Sequence, residues 1–188
     1  LEAYVSRLAH PLSDVHALRC IELVADSLAP AHANGADIAA REGMALAAYH
    51  GGIAFSNASV GLVHGMSRPV GALFHVPHGL SNAVLLAAVT HFSLASARAR
   101  YGRAAALLGF APGDATPEDA ADALLPGLDA WLAQLGIPRL RDVVGVDGDA
   151  FERHLPKMAA DALASGSPAR NPRVPTTAEI IALYQEAW

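Results

Sequence analysis

An all-α domain is the fold class this sequence predicts, and three observations predict it. Apolar residues recur at helical spacing through several long stretches. Strand signals are nearly absent, since no alternating run of β-branched or aromatic residues exceeds four positions and no two-residue hairpin turn occurs. Helix-start chemistry, a proline at a first turn or a threonine at a cap, stands ahead of several of the stretches. At 188 residues, 53% hydrophobic and 16% charged, the chain is expected to form one domain over residues 1–188 with a substantial core.

The elements follow in order. LEAYVSRLA opens without Met and without a Ser, Thr, Asp or Asn cap, yet it is helical in composition. The chain is therefore expected to begin inside a helix, as a fragment with covalent sequence upstream. Residues 11–29 place Leu12, Val15, Leu18, Ile21, Val24 and Leu28 at helical spacing, with Pro11 at the first turn. Asn34 to Ser56 is Ala-rich, and its small residues, Gly43, Ala47 and Gly51 among them, suit a long buried helix closely approached by a neighbour. A further helix is expected from Pro77, and Tyr101–Leu108, Thr116–Leu135 and Asp149–Ala164 continue the rhythm. TTAEIIALYQEAW closes the chain with Thr and Glu179 in a near capping pattern. Gly109–Thr116 and Ser165–Pro175 read as loops, and no fixed-period repeat is present.

Charge and composition exclude some functions. The net charge is −5 and the 13 Lys and Arg are scattered, so nucleic acid is not an expected partner. The longest apolar run, Ala83–Val89, is too short to cross a bilayer, and no signal-peptide pattern opens the chain; a soluble, cytoplasmic protein is expected. The single cysteine, Cys20, forms no internal disulfide and reads as a buried, inert thiol.

Residues 61–80, GLVHGMSRPVGALFHVPHGL, hold His64, His75 and His78 among apolar residues. A straight helix would separate His64 from His78 by about 21 Å. Pro69, Gly71 and Pro77 interrupt it, and a reversal between Gly71 and Pro77 would let both rings face one point, a geometry that suits a metal ion. Hydrogen-bonded core histidines are the alternative. Two imidazoles do not complete a site, and nothing in the spacing of His10, His16, His32, Asp14 or Asp37 singles out further ligands.

The segment Gly51–Leu86, GGIAFSNASVGLVHGMSRPVGALFHVPHGLSNAVLL, closely resembles the signature of the iron-containing alcohol dehydrogenases. LEAYVS, Asn171–Arg173 and LYQEAW resemble other parts of the same family, so the whole chain looks like its C-terminal helical domain, with the N-terminal dinucleotide-binding domain absent. The resemblance implies that His64 and His78 are the third and fourth metal ligands and that Phe55 lines the substrate pocket. An Asp and a His expected just before Leu1 would complete the coordination. The implied metal is Fe(II), with Zn(II) as the alternative, and the implied cofactor is NAD or NADP. The implied reaction is hydride transfer between a small alcohol and an aldehyde or ketone, with the metal as Lewis acid. Arg68 stands where many relatives carry a His; it is a candidate for clamping an acidic substrate, with an ion pair as the alternative. His75 is a candidate for contacting substrate or relaying a proton. The chain alone is expected to bind metal weakly, to be inactive, and to associate, as a homo-oligomer, through an apolar face. A metal-independent reductase of the maleylacetate type and a non-catalytic helical module are the alternative functions.

Overall fold

The computed structural model describes residues 1–145 and 147–188. Ten α-helices are present among them: α1 Glu2–Val5, α2 Pro11–Ala33, α3 Ile38–Ala58, α4 Leu62–Phe74, α5 His78–Leu94, α6 Arg98–Leu107, α7 Pro117–Gln134, α8 Leu140–Val144, α9 Gly148–Ala164 and α10 Thr177–Ala187. Short 3-10 turns at Ala95–Ala97 and Ser167–Arg170 complete the regular structure, and no strand is present among the described residues. The fold is all-α, as the apolar spacing predicts.

Two hydrophobic clusters organise it. One gathers Leu62, Met66, Val70, Leu85, Leu155 and Ile180 from α4, α5, α9 and α10. The other gathers Tyr4, Ile21, Ala54, Ala58, Tyr101 and Leu124 from α1, α2, α3, α6 and α7.

The α2–α3 hairpin shows why small residues alone do not make a buried helix. A Cβ at Gly43 would stand 2.1 Å from Ser27 Oγ, so the two helices touch there and glycine is required. Ala40, Ala47, Ala54 and Ala58 form the buried seam of α3. Its large apolar residues point the other way, Ile38 being 75% and Tyr49 67% exposed, so α3 is not the buried helix that its composition suggests. Leu12 and Val15 on α2 and Leu46 and Phe55 on α3 are exposed too, which leaves an apolar face on this hairpin.

Other departures have local causes. The opening helix covers only Glu2–Val5 before the chain turns at Ser6, whose hydroxyl donates to the Ala58 carbonyl at 2.5 Å. Five residues are too few to show a period, so α8 is invisible to it although Leu140 and Val144 are buried. Through the 3-10 turn, helical structure continues from His78 to Leu107; this stretch, unlike the apolar run at 83–89, is long and apolar enough to cross a membrane by length and composition, and Leu85, Val89 and Ser93 of it are buried within the fold. Cys20 is half-buried, and burial pushes its thiol up from the ordinary cysteine range.

Candidate metal centre

The N-terminus of α4 is capped from a distance. Gly61 at the N-cap offers no side chain, so the first amides look elsewhere for acceptors. Glu2 Oε1 accepts the Val63 N–H at 2.7 Å, and Asn171 Oδ1 accepts the Leu62 N–H at 3.4 Å. A Cβ at position 61 would lie 3.0 Å from Glu2 Oε1 and 3.1 Å from Asn171 Oδ1, so glycine makes room for both caps. Asn171 is itself buried and donates to Ser93 Oγ and to the Arg173 carbonyl, each at 2.8 Å. A carboxylate at this end of the helix also meets the positive end of the helix dipole.

From there α4 continues as one helix through Pro69 to Phe74, burying Leu62, Val63, Met66 and Val70. The Tyr184 hydroxyl from α10 donates to the Met66 carbonyl at 2.6 Å, and burial holds that hydroxyl far above its ordinary pKa, so it remains a donor. The chain turns back after Phe74, not at Pro69. His75 takes the left-handed conformation (φ 56°, ψ 25°), its N–H bonds to the Gly71 carbonyl at 3.0 Å, Val76 is buried, and Pro77 caps α5. A left-handed cap followed by a proline at the next N-cap reverses the helix in three residues.

This reversal sets His64 and His78 side by side with ring centroids 5.2 Å apart. Asn82, one turn after His78 on α5, places its Nδ2 3.1 Å from His78 Nε2 and 3.4 Å from His64 Nε2. The other nitrogen of His64, Nδ1, is in short contact with Glu2 Oε2. Because a carboxylate only accepts, Nδ1 carries the proton and the Nε2 lone pair points inward. Both Nε2 atoms thus converge on one N–H donor. Asn82 Oδ1 is buried without a hydrogen-bond partner, an unmet group beside the two imidazoles.

Converging imidazole nitrogens are a donor set for a first-row divalent metal, so the residues present fit such an ion. They do not complete its coordination. Among the described residues no group of three or more His, Cys, Asp and Glu side chains is placed to hold one.

A cavity of about 360 Å³ opens beside the pair, with His64, Asn82, Glu2, Phe55, Val63 and Leu86 in its lining. Phe55 is half-exposed at its edge, and Cys20 and Gly79 also contribute. Phe55 and His64 share this cavity, whereas His78 is exposed and reaches the site through its contacts with the His64 ring and Asn82 without lining the cavity. Arg68 and His75 stand apart from this cavity: both are exposed, Arg68 donates to Ser167 Oγ at 3.1 Å, and His75 sits in the reversal. Glu2 and Asn82 are the members of the site that sequence spacing does not single out. The His78 and Asn82 positions, four apart on one helix face, were the available signal for one of them.

Residues 1–188 match the Fe-containing alcohol dehydrogenase family, C-terminal. The chain is 37% identical over 189 residues to the 1,3-propanediol dehydrogenase of Klebsiella pneumoniae, a match covering 100% of the chain and 48% of that relative. It is 35% identical over 187 residues to the NAD-dependent methanol dehydrogenase of Bacillus methanolicus, again covering 100% of the chain and 48% of the relative. The crystal structure of a 1,3-propanediol oxidoreductase superposes with a TM-score of 0.92 at 37% identity, over 100% of this chain and 48% of that one. The chain spans about half the length of these relatives and corresponds to their C-terminal half. It belongs to the iron-containing alcohol dehydrogenase family.

Proposed function

We propose that this member of the family is the metal- and substrate-binding half of a nicotinamide-dependent alcohol dehydrogenase, exchanging a hydride between a small alcohol and its aldehyde or ketone. The observation that carries this reading is the convergence of His64 Nε2 and His78 Nε2 on the Asn82 amide, beside an apolar cavity that His64 and Asn82 line. A divalent ion held there, Fe(II) or alternatively Zn(II), supplies Lewis-acid polarisation of the alcohol or carbonyl oxygen and needs no redox change of its own. The remaining ligands are assigned to an Asp and a His just ahead of Leu1, and the site for NAD or NADP to a dinucleotide-binding domain outside this chain.

The residues of this chain hold and shield. His64 and His78 present their Nε2 atoms toward Asn82, and Glu2 holds the opposite nitrogen of the His64 ring. Phe55, Val63 and Leu86 take up the hydrocarbon part of the substrate and exclude water. A dry wall lowers the local dielectric and strengthens the electrostatics of the neighbouring polar groups. Arg68 and His75, like His78, lie outside this lining, and neither contacts the His64–His78 pair. The exposed Leu12, Val15, Ile38 and Tyr49 support association through the α2–α3 face.

The test is a hydride-transfer assay of the full protein with NAD(H) and NADP(H) and a series of short alcohols, alongside elemental analysis. Metal and activity are expected to disappear together in His64→Ala and His78→Ala. Full activity in metal-stripped protein would instead support a metal-independent reductase.

A further inference from the structure

We infer that Glu2 is a positioning residue for the metal: one carboxylate caps the helix that carries His64 and, with its second oxygen, fixes that imidazole in the tautomer whose Nε2 is free to coordinate. The inference rests on the reading of His64 and His78 as ligands and extends it to a residue distant from them in sequence.

Three observations support it. Glu2 uses both oxygens, Oε1 on the Val63 amide at 2.7 Å and Oε2 on His64 Nδ1, so helix start and ring orientation are set by one group. Its side chain is 12% exposed and that of His64 29%, so solvent competes little for the contact. On the far side of the ring, His64 Nε2 lies 3.4 Å from Asn82 Nδ2, within reach of an N–H donor when the proton is on Nδ1. A carboxylate behind an imidazole both orients it and raises its strength as a ligand, and losing such a partner typically costs 10–100-fold in metal affinity.

Simple helix capping is the competing explanation, and Glu2→Gln separates the two. A glutamine carbonyl can still accept the Val63 N–H, but the amide nitrogen it turns toward His64 can only donate. That moves the imidazole proton to Nε2 and closes the coordinating lone pair. The experiment measures the His64 tautomer in metal-free protein by ¹⁵N NMR, and Zn²⁺ affinity by competition with a chromophoric chelator, in wild type, Glu2→Gln, Glu2→Asp and His64→Asn.

We expect the Nδ1–H tautomer in wild type, a shift toward Nε2–H in Glu2→Gln with Zn²⁺ binding weakened about 10–100-fold, and partial rescue in Glu2→Asp. An Nε2–H tautomer in wild type, or a Glu2→Gln protein that binds Zn²⁺ as tightly as wild type, overturns the inference. Should Glu2→Gln fail to fold, the wild-type tautomer and the Glu2→Asp affinity decide in the same way. A His64→Asn protein with unchanged Zn²⁺ affinity would show that the ligand assignment itself is at fault.

Discussion

The molecule contains two histidine pairs whose ring centroids are each 5.2 Å apart, His16 with His50 across the α2–α3 hairpin and His64 with His78 across the α4–α5 reversal. In the first pair the Nδ1 atoms face each other at 3.0 Å, so one ring must donate and the other accept, and each satisfies its neighbour. In the second, both Nε2 atoms turn to the Asn82 amide, and Glu2 takes the remaining nitrogen of His64. Nearness of imidazoles is common to both pairs; direction is not. What separates a candidate metal centre from a histidine hydrogen bond is the set of groups behind the rings, and only the second pair has a carboxylate and an amide there among the described residues.

The strongest way to break this comparison is to remove rings from each pair. His64→Ala or His78→Ala should abolish stoichiometric metal binding and hydride transfer, whereas His16→Ala should leave the metal content of the protein unchanged, as read by elemental analysis. Equal losses from both pairs would erase the distinction. Next comes the support of α4. Tyr184→Phe leaves the Met66 carbonyl buried without its donor and should cost about 1–3 kcal/mol in chemical denaturation. Gly61→Ala presses a Cβ on Glu2 and Asn171, so it should lower stability by about 1–2 kcal/mol, the scale of a lost cap, and weaken metal binding as well.

A smaller effect sharpens the contrast from the other hairpin. In Gly43→Ala the new Cβ meets the Ser27 side chain, which should cost about 1 kcal/mol of stability while metal affinity stays at the wild-type value. The smallest effect concerns pH. The backbone N–H and the hydroxyl of Thr176, with Arg173 behind them, hold the Glu179 carboxyl below the usual glutamate range. A carboxyl lowered in the folded state stabilises above its unfolded pKa and loses that contribution as pH falls through the folded one. The first turn of α10 should therefore fray on acidification, seen by amide exchange, and Glu179→Gln should remove that part of the pH dependence.

The two caps also show what the sequence makes legible. Thr176 and Glu179 are three residues apart and form a full capping box, so a short-range pattern reveals the start of α10. The start of α4 depends on Glu2 and Asn171, which are 61 and 109 residues away from the amides they accept, and no local pattern can show that. The same holds in the site. His64, His78 and Phe55 lie in one contiguous segment whose punctuation by proline and glycine announces a reversal, although the helix tolerates Pro69 and turns only after Phe74. Glu2 enters from the far end of the chain and is seen only once the fold is known. Likewise, the alanines of α3 mark a close helix contact correctly but not which face of the helix the solvent sees, because exposure is decided by what packs outside the seam.

Anomalous diffraction from crystals of the protein soaked in Zn²⁺ tests the central claim most directly. A single strong peak about 2.0–2.1 Å from both His64 Nε2 and His78 Nε2, with the Asn82 amide moved aside, is the predicted result. A peak at His16 and His50 instead, or none between His64 and His78, would contradict it.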